Sequence, residues 1–140
     1  MHRLLSLLGV LLAACAGGTA PGEQRLPAII SYAGPDSVRV SVPAGARAGA
    51  PFTVTIEAYG PSGCVRQGET EVTVSGLVAR VRPWRYEPRG EEIACTAIFQ
   101  IFQHPASITF AEPGTATIRV EGVGPDETPV VAERRLPIAP

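Results

Sequence analysis

The sequence predicts an all-β domain, an antiparallel sandwich or small barrel of about seven to nine strands. Apolar and polar residues alternate with a period of two, turn residues recur about every 8–12 residues, and no run of about ten residues has helical periodicity without Pro or Gly. The predicted strands are 36–42, 52–58, 69–75, 77–82, 95–102, 115–121 and 129–138.

Each predicted strand has its own pattern. Segment 36–42 places three valines on one face, and 52–58 places Thr and Glu on the outward face. Segment 95–102 is apolar on both faces, whereas 115–121 alternates cleanly. β-branched and aromatic residues fill these segments, as expected of strands. Turns are predicted at 34–35, 43–51, 60–63, 88–90, 113–114 and 124–125.

Segments 69–75 and 77–82 form a predicted hairpin with a two-residue loop at Ser75-Gly76. This loop places Glu71 opposite Arg80 on the polar face, since counting outward pairs residues symmetrically. The same register places Glu69 opposite Arg82. The apolar face then carries Val72, Val74, Leu77, Ala79 and Val81.

The first residues have the layout of a secretory signal peptide. Arg3 supplies a positive charge, residues 4–12 are mostly apolar, and small residues follow. The apolar run has about a dozen residues, fewer than the roughly 20 that a membrane-spanning helix needs. We therefore divide the chain into a signal peptide at 1–14, a flexible tether at 15–25 and a β-sandwich at 26–140.

The tetrapeptide Leu12-Ala13-Ala14-Cys15 resembles the lipobox of bacterial lipoproteins. The resemblance implies a diacylglycerol on Cys15, cleavage just before it and an acylated amino terminus, so that the partner is a membrane. Ala16 stands where an inner-membrane retention signal often has Asp, which favours the outer membrane, facing the periplasm, in a diderm host. The alternative is an ordinary signal peptide cut near Ala16, with Cys15 incidental.

Cys64 and Cys95 remain once Cys15 is set aside. An exported chain meets an oxidising compartment, so an even pair of cysteines predicts a disulfide. A redox pair is usually spaced more closely. A metal site would need further ligands, and His104 is the one histidine after the leader. We expect no metal and no cofactor.

The stretch PASITFAEPGTATIRVEG resembles the late strands of immunoglobulin-like sandwiches. Phe110, the Pro113-Gly114 turn, Ile118 and Val120 carry the resemblance. It implies an immunoglobulin-like β-sandwich in which Cys95 begins a central strand. In antibody domains the disulfide joins two packed sheets around a tryptophan, and here the arginines beside Trp84 argue against a fully buried tryptophan.

The segment Arg80–Arg89 interleaves basic and aromatic residues. Trp84, Arg85 and Tyr86 are the candidate ligand-binding residues, because an aromatic ring can stack on the apolar face of a sugar. The alternative is a strand edge whose arginines pair with nearby glutamates while Trp84 covers core. Nucleic acid is disfavoured by the net charge of −1 and by export.

No residue set predicts catalysis. His104 next to Pro105 is interpreted as a turn residue, and Ser107 lacks the sequence context of a nucleophile. The adjacent acids at 91–92 and 126–127 lack a calcium-binding pattern and are interpreted as solvated loop charges. We expect a lipid-anchored envelope protein that is a non-enzymatic binding or structural module; its partner, an envelope protein or a glycan, is not specified by the sequence. The alternative is an accessory module for carbohydrate or peptidoglycan that uses Trp84 and Tyr86.

Overall fold

The alternating segments form nine β-strands in the computed structural model, which describes residues 22–90 and 93–140. No α-helix occurs in these two ranges, and one short 3-10 turn covers Pro35–Ser37. The strands are β1 (Glu23–Pro27), β2 (Val40–Ser41), β3 (Ala46–Arg47), β4 (Phe52–Gly60), β5 (Arg66–Ser75), β6 (Val78–Pro88), β7 (Gln100–Ile108), β8 (Gly114–Val123) and β9 (Pro129–Ala139). The all-β prediction is confirmed.

The strands form two sheets. The larger sheet has the order β1-β6-β8-β9-β3, with β5 also paired to β6, and it curls into a half-barrel. The smaller sheet has the order β2-β4-β7. Strand β6 is the most connected strand of the larger sheet, because β5 lies on one side of it while β1 and β8 share the other.

The prediction of wholly antiparallel pairing is wrong at two places. Strands β6 and β8 pair in parallel, and so do β3 and β9. The reason for the first is topological: after β6 the chain crosses to the smaller sheet for β7, and it returns to the larger sheet running in the direction of β6. A chain that alternates between two sheets in this way brings parallel strands side by side.

The core lies between the two sheets, where alternate residues of each strand point inward. In β4 and β7 these are the even-numbered residues, and in β6 the odd-numbered ones. Phe110, which follows β7, is fully buried and stacks on Phe52 at 6.0 Å between ring centroids. Other fully buried side chains are Ile30, Val54, Ile56, Ala58, Ala79, Val81, Ala116, Ile118 and Val120.

Residues 28–30 join the two sheets at one side. The Tyr59 amide donates to the Ile29 carbonyl at 2.8 Å, and the Ile30 amide donates to the Val123 carbonyl at 3.0 Å. Gly122 makes this crossing possible, because a Cβ there would lie 2.7 Å from the Ala28 carbonyl oxygen. Backbone cannot yield to such a contact, so only glycine fits.

Several strand boundaries differ from the prediction. The predicted strand 36–42 is reduced to β2, which follows the 3-10 turn at Pro35–Ser37, and β6 extends to Pro88, beyond the predicted end at residue 82. Strand β7 covers Gln100–Ile108, not 95–102, because the buried alternation continues through His104, Ala106 and Ile108. Pro105 does not end the strand, since β7 is an edge strand of its sheet, where proline is tolerated. Strand β1 begins at Glu23, within the segment 15–25 assigned to the tether.

The predicted hairpin exists, but its register is different. The loop is Gly76-Leu77, so Glu71 lies opposite Arg82, and Arg80 lies opposite Thr73. Gly76 has φ 56°, the left-handed conformation that a tight hairpin turn requires. A bulge between Gln67 and Thr70 also removes Glu69 from direct pairing. The residue opposite each position of β5 is two positions further along β6 than predicted. Because side chains alternate between faces with a period of two, this shift preserves the predicted apolar and polar faces.

Cys64 and Cys95 form the predicted disulfide, with their Cα atoms 5.4 Å apart. It joins the loop after β4 to the segment before β7, so Cys95 does not begin a central strand. The Gly63 amide also donates to the Thr96 carbonyl at 2.9 Å. Covalent and hydrogen bonds therefore hold the two segments together.

Loss of this disulfide should lower the free energy of unfolding by about 3–4 kcal/mol, because the crosslink closes a loop of about 32 residues. The measurement is urea denaturation of the wild-type protein and of a Cys64→Ser/Cys95→Ser variant. Reductant should destabilise the wild-type protein and leave the variant unchanged. Equal stability of the two proteins without reductant would contradict the prediction.

Candidate functional site

The basic and aromatic residues of β6 point to two opposite sides of the larger sheet. Trp84 and Tyr86 lie on its outer side, together with Arg82. Arg85 points inward and continues the buried row of Ala79, Val81 and Pro83. The three candidate ligand-binding residues therefore do not form one surface.

Arg85 is buried, with 2% of its surface exposed. Its guanidinium donates to the Pro27 carbonyl, to Glu127 and, at 2.6 Å, to Glu87 Oε1. Glu127 lies in the loop between β8 and β9 and adopts φ 62°, which costs a non-glycine residue about 1–2 kcal/mol. The ion pair with Arg85 offsets this strain.

The Trp84 ring is covered by arginine. The Arg25 guanidinium carbon lies 3.7 Å from the ring centroid, which is a cation–π contact. Indole Nε1 donates to Glu71 Oε2 at 3.2 Å. A sugar could stack on this face of Trp84 only if Arg25 moved away.

Tyr86 has a similar environment. The Arg66 guanidinium carbon lies 4.5 Å from the ring centroid, and the hydroxyl donates to Glu69 Oε2 at 2.9 Å. This hydrogen bond raises the pKa of Tyr86. Burial raises the pKa of Glu69, but hydrogen bonds from its own amide, Tyr86 and Arg25 outweigh burial and hold that pKa below its usual value. The charges around Trp84 and Tyr86 on the outer face of β6 are paired within the protein.

His104 is a core residue, not the turn residue that its neighbour Pro105 suggested. Its side chain is fully buried on the inward face of β7, and Nδ1 lies 3.2 Å from Thr70 Oγ1. Nε2 has no hydrogen-bond partner within the described residues. Burial lowers the pKa of His104 from 6.5 to about 4, although the charge of Glu69 opposes the shift.

The other polar candidates do not assemble around His104. Ser107 is exposed on the opposite face of β7. Asp126 is engaged in its own turn, where it accepts from the Thr128 hydroxyl at 2.7 Å, and this bond lowers the pKa of Asp126. Glu127 pairs with Arg85, so the prediction of a purely solvated loop charge is wrong for it. The pair 91–92 lies outside the described residues.

Residues 22–90 and 93–140 contain no group of three or more His, Cys, Asp or Glu side chains that could hold a metal ion. The same part of the chain contains no helix long and apolar enough to cross a bilayer. Cys15 and the predicted leader lie outside it.

An exposed cluster lies next to the disulfide; we call it the aromatic patch, and its residues are Tyr32, Tyr59, Ile98, Phe99 and Ile101. The rings of Tyr32, Tyr59 and Phe99 lie 5.5–5.6 Å from one another between centroids. Ile98, Phe99 and Ile101 each expose 55–57% of their surface. Three aromatic rings in contact, with exposed isoleucines on both sides of Phe99 in the sequence, indicate an interaction surface.

A polar groove lies on the outer face of the smaller sheet. Its volume is about 420 Å³, and its walls include Arg39, Thr55, Glu57 and Gln103. Arg39 and Glu57 form an ion pair across it at 3.7 Å. The groove is open and its charges are paired, so it does not define a ligand.

Comparison with known proteins gives no relative. No protein-family model matches the chain, and neither the curated proteins nor the solved structures contain a significant match.

The aromatic patch was not predicted as a site, although the sequence contains a signal for it. Segment 95–102 is apolar at both odd and even positions. A strand with one buried face needs apolar residues on that face alone. The additional apolar residues on the other face of this segment therefore predict exposed apolar side chains. The inward position of Arg85 has no such signal, because arginine is rarely buried unless it is paired.

The buried His104 should make stability depend on pH. Its pKa is lower in the folded protein, about 4, than the ordinary 6.5, so the unfolded chain binds more protons between these values. Stability should be complete above pH 6.5 and fall as the pH approaches 4, by up to about 3 kcal/mol. Urea denaturation between pH 4 and 7.5 measures this.

A His104→Gln variant is the control, since glutamine retains polar atoms and does not titrate in this range. Its stability should change little between pH 6.5 and 4.5. The lowered pKa values of Glu69 and Glu121 produce losses at lower pH, as the pH falls through their folded-state values. A wild-type slope that persists unchanged in His104→Gln would contradict the prediction.

Proposed function

We propose that this chain is a lipid-anchored envelope protein that acts by binding and has no enzymatic activity. Cys15 attaches it to the membrane, and the β-domain presents a fixed surface. The observation that carries the proposal is the pairing of Cys64 with Cys95. This pairing is typical of an exported protein, and it accounts for two of the three cysteines of the sequence, Cys15 being the third.

The leader supports export and anchoring. Residues 4–12 are mostly apolar and too few to span a bilayer, and the sequence Leu12 to Cys15 resembles a lipobox. Two or three acyl chains hold a protein to a membrane stably, whereas a single chain does not. Ala16 favours the outer membrane in a host that has one.

An immunoglobulin-like topology is part of the proposal. Two sheets enclose the core, and Phe110, Ile118 and Val120 are fully buried, as in the late strands of that fold. The disulfide differs from the antibody arrangement, because it joins two segments at one end of the domain rather than two packed sheets.

The positions of the polar residues support a protein without enzymatic activity. His104 is enclosed in the core, and Ser107 faces away from it. Arg85, the most deeply buried charge, is paired with Glu87 and Glu127. These pairs serve the fold, which supports a role in binding rather than catalysis.

The anchor predicts a specific mature amino terminus. Mass spectrometry of protein purified from membranes of a bacterial host should show Cys15 as the first residue, carrying a diacylglycerol and an amide-linked fatty acid. Cys15→Ser should abolish acylation and processing. Cys64→Ser is the matched control and should still be acylated. An unmodified amino terminus at any other residue would refute the anchor.

A further inference from the structure

The aromatic patch is held in a fixed conformation. The disulfide and the bond from Gly63 to Thr96 fasten the segment before β7 to the loop after β4. The Gln100 side-chain amide donates to the Ser62 carbonyl at 2.6 Å and to the Val65 carbonyl at 3.1 Å. The segment that carries the exposed side chains is therefore held in position by a disulfide and by hydrogen bonds.

The patch consists of side chains suited to a lipid–water interface. Tyr32 and Tyr59 combine a ring with a hydroxyl, and Phe99 and the two isoleucines are apolar. Burial raises the pKa of both tyrosines, so they are neutral at physiological pH. Segment 93–101 contains no charged residue. Aromatic rings of this kind concentrate at the headgroup level of bilayers.

The patch lies at the end of the domain where the described chain begins. The Arg89 amide donates to the Gly22 carbonyl at 2.6 Å, which places Gly22 next to the end of β6. At the same end, Arg66 binds Glu23 at 2.7 Å and follows the loop that contains Cys64. The disulfide, the patch and the start of the domain therefore share one end.

The length of chain before Gly22 restricts how far this end can be from the anchor. Six residues separate Cys15 from Gly22. Fully extended, the seven Cα–Cα steps span at most about 25 Å. A domain of about 120 residues has a radius of gyration of roughly 13–14 Å. The tether is thus shorter than the domain is wide, and the end that carries Gly22 must stay near the bilayer.

We infer that the aromatic patch lies in the headgroup region of the membrane to which Cys15 is attached, so that the domain has one fixed orientation. This inference depends on the proposed lipid anchor. Insertion of about 5–10 Å is typical of apolar faces at the interface.

The test uses the acylated mature protein, which begins at Cys15, in vesicles of phosphatidylethanolamine and phosphatidylglycerol that contain brominated acyl chains. Trp84→Phe removes the native tryptophan, and Phe99→Trp then reports from the patch. Bromine should quench Trp at position 99, and the less polar surroundings in the membrane should shift its emission to the blue.

Val78→Trp in the same background is the matched control. Val78 is also an exposed apolar residue, 42% accessible, but it begins β6 next to the Gly76-Leu77 loop at the opposite end of the domain. Tryptophan at position 78 should not be quenched. If Phe99→Trp does not fold, Ile101→Trp, equally exposed in the patch, replaces it.

Failure of the anchor and failure of the orientation can be distinguished, because mass spectrometry measures acylation and fluorescence measures quenching. Acylation of Cys15 with no quenching at position 99 would overturn the orientation and leave the anchor intact. Absence of acylation would refute the anchor and the inference together. A blue-shifted but unquenched Trp at position 99 would show that a second copy or another protein covers the patch, and would also overturn the inference.

Discussion

The buried guanidinium of Arg85 is the constraint on which the larger sheet depends. Arginine can be buried only when its donors are paired, and here they reach the Pro27 carbonyl, Glu87 and Glu127. These partners belong to the end of β1, to β6 itself and to the loop between β8 and β9. Three parts of the chain must therefore meet at one point for the sheet to form.

This constraint also determines which surface is left for recognition. Because Arg85 points inward, Trp84 and Tyr86 point outward, where Arg25 and Arg66 cover their rings. The two aromatic rings and the charges around them are therefore engaged within the protein. The aromatic patch is different, because Phe99 is fixed by its neighbours and still largely exposed.

The sequence was sufficient for the features that depend on local pattern. The period-two alternation predicted an all-β domain, and the even cysteine pair predicted the disulfide. It was not sufficient for the hairpin register, because Gly76-Leu77 and Ser75-Gly76 produce the same apolar face. The burial of Arg85 and His104 could not be predicted either, since both depend on partners distant in sequence, such as Glu127 and Thr70.

The most direct test of the Arg85 constraint is a double-mutant cycle with Arg85→Met and Glu127→Gln, measured by urea denaturation at pH 7. Arg85→Met alone should destabilise the protein by about 3 kcal/mol, since it removes the partner of two carboxylates and a carbonyl. The two changes together should cost less than the sum, with a coupling energy of about 1–3 kcal/mol. Additive effects, or a stable Arg85→Met protein, would contradict the account.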